Sequence, residues 1–291
     1  MNELRNRKET VGVKNIFVVD KMTPYSGMRT FAEEVTRNLG IELIKLPSEH
    51  YFLSMFIPRF NFDHRVIIRN DNFITYYGRN VITRIHDIFP LTYPDARMQK
   101  QLFILSMVFN RPRNVSFNSY YTQREYSRLY RTDHSTVIYP FLHPSFKPAN
   151  ADRSDFILMD IAHNKRKNIE YHEKAIIDNP NEHFIKIGGH FSREYPNVEY
   201  RDKISTEEVA HLYNKAKEVW WFSKDEGFGH PQAQAMMTKT PIRLLDTEIN
   251  REIYGDVNNH DVDEKYNRIK KMCDPKRLRK QWFDFIDEVY A

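Results

Sequence analysis

Short apolar runs and amphipathic stretches alternate along the chain, the pattern of a parallel sheet flanked by helices. Asn15–Asp20 (NIFVVD) reads as a first buried strand. A Thr-Pro-Tyr-Ser-Gly turn follows, and then a helix over Met28–Leu39. Further strands are expected at Ile41–Leu46, Val81–Ile85, Asn114–Asn118 and Thr136–Tyr139, with helices over Ala96–Asn110 and Gln123–Tyr130. The stretch Pro140–Ser154 is rich in proline and polar residues and has no apolar period, so it reads as a linker. The alternation then restarts. Strands are expected at Phe156–Met159, Phe184–Ile187, Val219–Phe222 and Ile242–Leu245, and helices over Ile169–Ile177 and Pro231–Thr238. Ser205 and Glu208 have capping-box spacing ahead of Val209, Leu212, Tyr213 and Ala216, which mark one helical face. Asp263–Tyr290 reads as helices interrupted at Asp274-Pro275. The fold class is therefore α/β, with two doubly wound domains.

Composition narrows the classes. With 41% hydrophobic and 14% aromatic residues the chain can bury a core rather than stay disordered. Its 44 Lys and Arg against 39 Asp and Glu leave +5, a mild excess that suits nucleotide phosphates, an anionic membrane surface or nucleic acid. The single cysteine, Cys273, excludes an internal disulfide and a cysteine metal cluster. Met1–Lys8 is polar, so no signal peptide is expected, and the apolar stretch Leu102–Phe109 is too short to span a bilayer. The expectation is a cytoplasmic protein, with peripheral contact at an inner membrane or residence in an infected host cell as alternatives.

The most informative segment is Ser223–Pro241, SKDEGFGHPQAQAMMTKTP. A strand ends before it, Glu226 stands at its mouth, Gly227 and Gly229 flank Phe228, and Pro231 opens a helix. Glycines let a ligand approach the backbone, and a helix N-terminus offers free N–H groups and a positive dipole. A carboxylate there suits hydrogen bonds to sugar hydroxyls. On those grounds alone a tight turn with a solvated Glu226 is an equal reading.

This segment closely resembles the signature of family-four glycosyltransferases, also called glycosyltransferases group 1, in which E-G-F-G-x-P precedes a small-residue helix and G-T-P. Glu226, Gly227, Phe228, Gly229 and Pro231 match; Thr240 and Pro241 match the closing pair, with Lys239 in place of the glycine. The family's second glutamate is Gln234 here, an amide that can still bond a ribose diol but carries no charge. Weaker similarities lie at Ser26-Gly27 (the glycine loop, one glycine short), at Ile85–Pro90 (the H-D-x-x-P segment) and at Lys165–Asn168 (the R-K-N phosphate-binding run, without its preceding glycine-arginine).

The resemblance implies a GT-B architecture, two Rossmann-like domains facing a central cleft and closing over the donor. It divides the chain into residues 1–145 on the acceptor side, 155–262 for the nucleotide sugar, and helices over 263–291 crossing back. It implies a retaining, metal-independent transferase acting on a UDP- or GDP-linked sugar, with no cofactor. His86, Glu226 and Lys167 are the implied catalytic residues. Gly27, Arg166, Gly227, Phe228, Gly229 and Gln234 are the implied donor contacts. The acceptor is expected to be a glycan or lipid-linked sugar; hydroxymethylated bases of phage-type DNA are the alternative. A catalytically inactive binding module for sugar nucleotides or nucleic acid is the rival from another class.

Other features read as structural. Asp261-Val-Asp263 resembles a metal-binding Asp-x-Asp but precedes a helix, where capping is expected. The 12 histidines show no paired ligand spacing, so no structural metal is expected. Trp220-Trp221 reads as core.

Overall fold

The computed structural model describes residues 16–20, 27–46, 59–60, 65–70, 76–92, 97–150, 152–162 and 167–290. The chain divides into two compact units, Met1–Phe141 with Cys273–Ala291, and Leu142–Met272. The boundary lies inside the proline-rich stretch. The helices after position 262 are split between the units.

The first unit holds β1 (Ile16–Asp20), α1 (Gly27–Leu39), β2 (Glu42–Lys45), β3 (Arg59–Phe60), β4 (Val66–Arg69), β5 (Tyr76–Tyr77) and β6 (Val81–Ile85). It continues with α2 (Phe89–Thr92), α3 (Arg97–Asn110), β7 (Asn114–Phe117), α4 (Tyr120–Ser127) and β8 (His134–Val137). Among the described residues its main sheet has the order β2-β1-β4-β6-β7-β8, every pair parallel; β3 and β5 form a separate parallel pair. The central strands β4, β6 and β7 are buried along their whole length, as expected of a sheet covered on both faces.

Helix α1 lays Phe31, Ala32, Val35 and Leu39 inward, all at 0% exposure, while Arg29 and Glu33 pair outside at 2.8 Å. The last helix of the chain, α10 (Pro275–Tyr290), returns to this unit. Its buried face is Leu278, Trp282, Phe285 and Ile286, at helical spacing. Trp282 packs on Phe31 (centroids 6.2 Å apart), and Arg279 Nη1 donates to the Asn38 carbonyl near the end of α1 at 2.7 Å. Arg84 is buried between these helices and the sheet; it donates to the Phe117 carbonyl at 2.8 Å and lies 4.5 Å from the Phe31 ring centre. Burial alone pushes its pKa down to about 9.

The second unit repeats the plan: β9 (Phe156–Asp160), α5 (Ile169–Asp178), β10 (His183–Ile187), β11 (Val198–Arg201), α6 (Thr206–Lys215), β12 (Glu218–Trp221), α7 (His230–Met237), β13 (Ile242–Leu244), α8 (Glu248–Tyr254) and α9 (Val262–Met272). Its sheet is all parallel, in the order β11-β10-β9-β12-β13. From β9 the chain builds outward through β10 and β11, then returns to add β12 and β13 on the other side. The strand order therefore reverses between β9 and β12, and the loops after those strands open the crevice where such sheets bind ligands.

Several boundaries moved. Helix α4 starts three residues earlier than the apolar pattern implied, because Ser119 accepts a hydrogen bond from Thr122 N and begins the helix there. Strand β8 ends at Val137 rather than Tyr139, its register set by Asn114 opposite His134. Ser205 caps α6, accepting from Glu208 N at 3.1 Å. Asp261 accepts from Glu264 N at 3.0 Å at the start of α9, and Asp263 pairs with Lys239 at 2.6 Å, so this Asp-x-Asp caps and pairs.

Candidate functional site

In the second unit the loops after β9 and β12 bring together residues far apart in sequence. Lys167 stands just before α5 and Glu226 in the loop between β12 and α7. Their side chains form a direct ion pair, 11% and 9% exposed respectively. The ammonium also lies 4.8 Å from the centre of the Trp221 ring, so the last residue of β12 forms the floor beneath it.

The loop holding Lys167 is fixed by His172. Its Nδ1–H donates to the Asn168 carbonyl at 3.1 Å, and its Nε2 accepts from Phe222 N at 3.1 Å. One neutral imidazole thus ties the start of α5 to the end of β12. Burial pushes its pKa down to about 4, so it stays neutral in this role. Asn168 itself has φ 55°, a left-handed conformation that asparagine tolerates.

The turn holding Glu226 is built around Gly229, which has φ 87° and caps α7. A Cβ at Gly229 would collide with the Gln232 amide. That amide donates to the Gly229 carbonyl at 3.1 Å and accepts from Trp221 Nε1 at 2.6 Å. From α8, Tyr254 OH donates to the same carbonyl at 3.1 Å. Phe228 is buried at 1% exposure, Pro231 sits in the first turn of α7, and Gln234 is half-buried one turn further on. The result is a preformed helix N-terminus beside an ammonium and a carboxylate, with dipole and cation suited to a phosphate and carboxylate suited to hydroxyls. Lys239 has φ 54°, the conformation for which the resembled motif uses glycine.

Deeper in this unit, Asp160 ends β9 partly buried, and the loss of solvation raises its pKa; Tyr213 OH donates to it at 2.8 Å. Lys186 on β10 donates to the Ile161 carbonyl at 2.9 Å and to that of Gly189, and burial pushes its pKa down to about 8.

In the first unit, His86 stands just beyond β6, with Nε2 2.8 Å from Asn70 Oδ1. Asn70 Nδ2 in turn donates to Asp20 Oδ1 at 2.8 Å. Phe31 meets the His86 ring edge-on at 4.9 Å. Gly27 is the first residue of α1. Of the residues singled out in sequence, the structure joins Lys167 to Glu226 and sets Gly227, Phe228, Gly229 and Gln234 around the same helix start. His86 and Gly27 belong to the other unit, and Arg166 lies outside the described residues. Sequence reading missed Trp221 as a support, along with His172, Gln232, Asn70 and Asp20. Each acts through a contact distant in sequence or through a side chain that looks like ordinary core.

Comparison with known proteins bears on this geometry. No family model matches the chain. The O-antigen chain mannosyltransferase RfbU of Salmonella typhimurium is 29% identical over 60% of this chain, which spans 54% of that relative's length. HepE from Anabaena, solved with UDP and glucose, superposes with a TM-score of 0.66 at 13% identity, covering 94% of this chain and 99% of that one. AviGT4, a glycosyltransferase involved in avilamycin A biosynthesis, gives 0.66 at 12% identity over 95% and 98%. The fold is GT-B. Its two parallel-sheet units match the fold of these solved GT-B glycosyltransferases, and its sequence is similar to that of the mannosyltransferase. In a GT-B frame the Lys167–Glu226 pair occupies the strand-order reversal of the second Rossmann-like sheet, and the His86 network the C-terminal rim of the first. Among the described residues no group of three or more His, Cys, Asp or Glu is placed to hold a metal ion, and no helix is long and apolar enough to cross a membrane.

Proposed function

We propose that the chain is a retaining glycosyltransferase that moves a sugar from a nucleoside diphosphate to a hydroxyl acceptor. The observation carrying this reading is the buried Lys167–Glu226 pair beside the glycine-built N-terminus of α7. Lys167 and the helix dipole stabilise the diphosphate as negative charge builds up on it, and Glu226 orients the sugar hydroxyls. The bond from the anomeric carbon to the β-phosphate oxygen breaks as the acceptor oxygen bonds to the same face of that carbon. The departing phosphate oxygen takes the acceptor's proton. Fixed cationic charge from Lys167, with Arg166 as a second source, does the work that a divalent cation does in other transferases. Gln234 contacts the ribose.

A glycan or lipid-linked sugar is the proposed acceptor, supported by the similarity to an O-antigen chain mannosyltransferase. The test is release of free nucleoside diphosphate from a panel of UDP- and GDP-sugars in EDTA, comparing wild type with Glu226→Ala. Glycan, lipid-linked and hydroxymethylated-DNA acceptors are supplied in separate reactions. Release that persists in EDTA, needs Glu226 and depends on a glycan or lipid acceptor supports the proposal. Release with DNA alone corrects the acceptor, and loss of release in EDTA corrects the metal independence. Binding of nucleotide sugars without release under any condition means a binding module.

A further inference from the structure

Helix α3 is anchored to its unit by one face. Phe103, Ser106 and Met107 are buried, Tyr126 OH donates to Met107 Sδ at 3.7 Å, and the Tyr130 ring lies 6.5 Å from that of Phe103. On the other face Ile104, Leu105 and Val108 stand 40%, 37% and 58% exposed. Lys100, Ile104 and Val108 follow at i, i+4, so a lysine and two aliphatic side chains share one stripe, with Leu105 beside it. A helix that only covers a sheet turns polar residues outward. This one turns aliphatic groups outward, and its sequence, RMQKQLFILSMVFN, holds no acidic residue. Cationic residues collect where it ends. Arg111 N donates to the Met107 carbonyl at 2.9 Å and closes the last turn. Asp133 N and His134 N donate to the Arg113 carbonyl at 2.8 and 3.1 Å, which draws in the segment carrying exposed Leu129 and Arg131. From Arg97 to His134 seven Lys and Arg stand against two acidic residues, so this stretch carries +5, as much as the whole chain. Both acidic residues are engaged, Glu125 with Arg128 at 2.6 Å and Asp133 with Arg113 at 3.7 Å. Lys100, Arg111 and Arg131 are exposed and make no ion pair among the described residues. The centre of a protein–protein interface favours aromatic residues and disfavours lysine. An anionic bilayer instead rewards both features: aliphatic groups enter the acyl boundary while cations meet the headgroups.

We propose that α3 and the cations at its C-terminal end form a docking surface for an anionic phospholipid bilayer. The helix lies flat, with Ile104, Leu105 and Val108 in the acyl boundary and Lys100, Arg111 and Arg131 at headgroup level; its fourteen residues are too few to cross. This inference goes beyond the transfer reaction and does not depend on it. The test is flotation of the full chain with vesicles of phosphatidylcholine alone or with about 30% phosphatidylglycerol. Wild type should bind the mixed vesicles at least about tenfold more tightly than the neutral ones. Ile104→Gln/Leu105→Gln/Val108→Gln should weaken that binding at least about tenfold. Lys100→Gln/Arg131→Gln should lose about fivefold per charge on mixed vesicles and nothing on neutral ones. The replaced side chains are all exposed, so each variant should keep the wild-type thermal transition. An environment-sensitive dye on Val108→Cys, where the native Cys273 is buried and spared, should shift to the blue with mixed vesicles. Equal binding to both vesicle types, undiminished binding by the triple variant, or no shift of the dye overturns the proposal. So does a wild-type dimer that binds no vesicles and that the triple variant converts to a monomer, which makes this face an interface between copies. Vesicle binding by a chain that transfers no sugar keeps the docking surface and overturns the glycosyltransferase reading. Transfer to a soluble acceptor by a chain that ignores vesicles does the reverse.

Discussion

Lys167 and Glu226 hold each other in the structure, yet the proposed reaction needs each to hold part of the donor. A diphosphate can take the ammonium only by displacing a carboxylate from a site about nine-tenths shielded from water. At an effective dielectric of about 20, two unit charges about 4 Å apart attract by about 4 kcal/mol. Replacing Glu226 with glutamine leaves a hydrogen bond of about 1 kcal/mol and removes the charge. If water recovers half of the difference, a free nucleoside diphosphate gains about 1.4 kcal/mol, or about tenfold in affinity. Glu226→Gln should therefore bind UDP or GDP about tenfold more tightly than wild type while losing transfer. Lys167→Met should bind it at least about tenfold more weakly. Titration calorimetry of the three proteins, each checked for folding by its thermal transition, decides the matter. If Glu226→Gln binds the diphosphate as weakly as Lys167→Met does, the two groups cooperate rather than compete, and the reasoning fails.

Three further outcomes are expected. His172 takes up a proton in the unfolded chain near the ordinary value of 6.5 but only near about 4 when folded. Its contribution to stability is therefore full above about pH 6.5 and lost as pH falls towards about 4. His172→Phe should accordingly show a smaller drop in urea midpoint between about pH 7 and about pH 5 than wild type does. Gly229→Ala places a Cβ at φ 87° against Gln232, so a loss of about 2 kcal/mol or more is expected, together with weakened nucleotide binding; an unchanged urea midpoint would contradict it. Trp282→Ala should cost about 3–5 kcal/mol in chemical denaturation, because the indole is fully buried against Phe31 and Arg84, and a loss under about 1 kcal/mol would mean that α10 is dispensable.

Local chemistry was legible and tertiary chemistry was not. The Glu226 segment could be read because its meaning lies in adjacent residues: glycines, a proline and a carboxylate at one turn. Helix α6 was legible for the same reason, since Ser205 and Glu208 carry the capping signal themselves. Strand β4 escaped notice although it is central to its sheet. Its apolar content is three residues between Arg65 and Arg69, and Arg69 looks like a solvated strand end. In the fold Arg69 is buried and donates to Thr83 on the neighbouring strand at 2.5 Å. Strand β11, Val198–Arg201, lies at a sheet edge with little apolar alternation to betray it. The supports of the site were hidden by separation: His172 meets Phe222 across 50 positions, as Asn70 meets Asp20. Nothing in a lone histidine within a helix, or in an asparagine after a short strand, foretells those partners.

The return of α10 to the first unit also fixes an order of assembly. During synthesis the first 141 residues emerge well before Trp282, whose indole completes their core. The middle unit, Leu142–Met272, is contiguous and can close on itself as soon as it leaves the ribosome. The chain thus finishes its second half before its first. A nascent chain stalled just before α10 should carry a protease-resistant middle unit behind an N-terminal unit that is still open to cleavage.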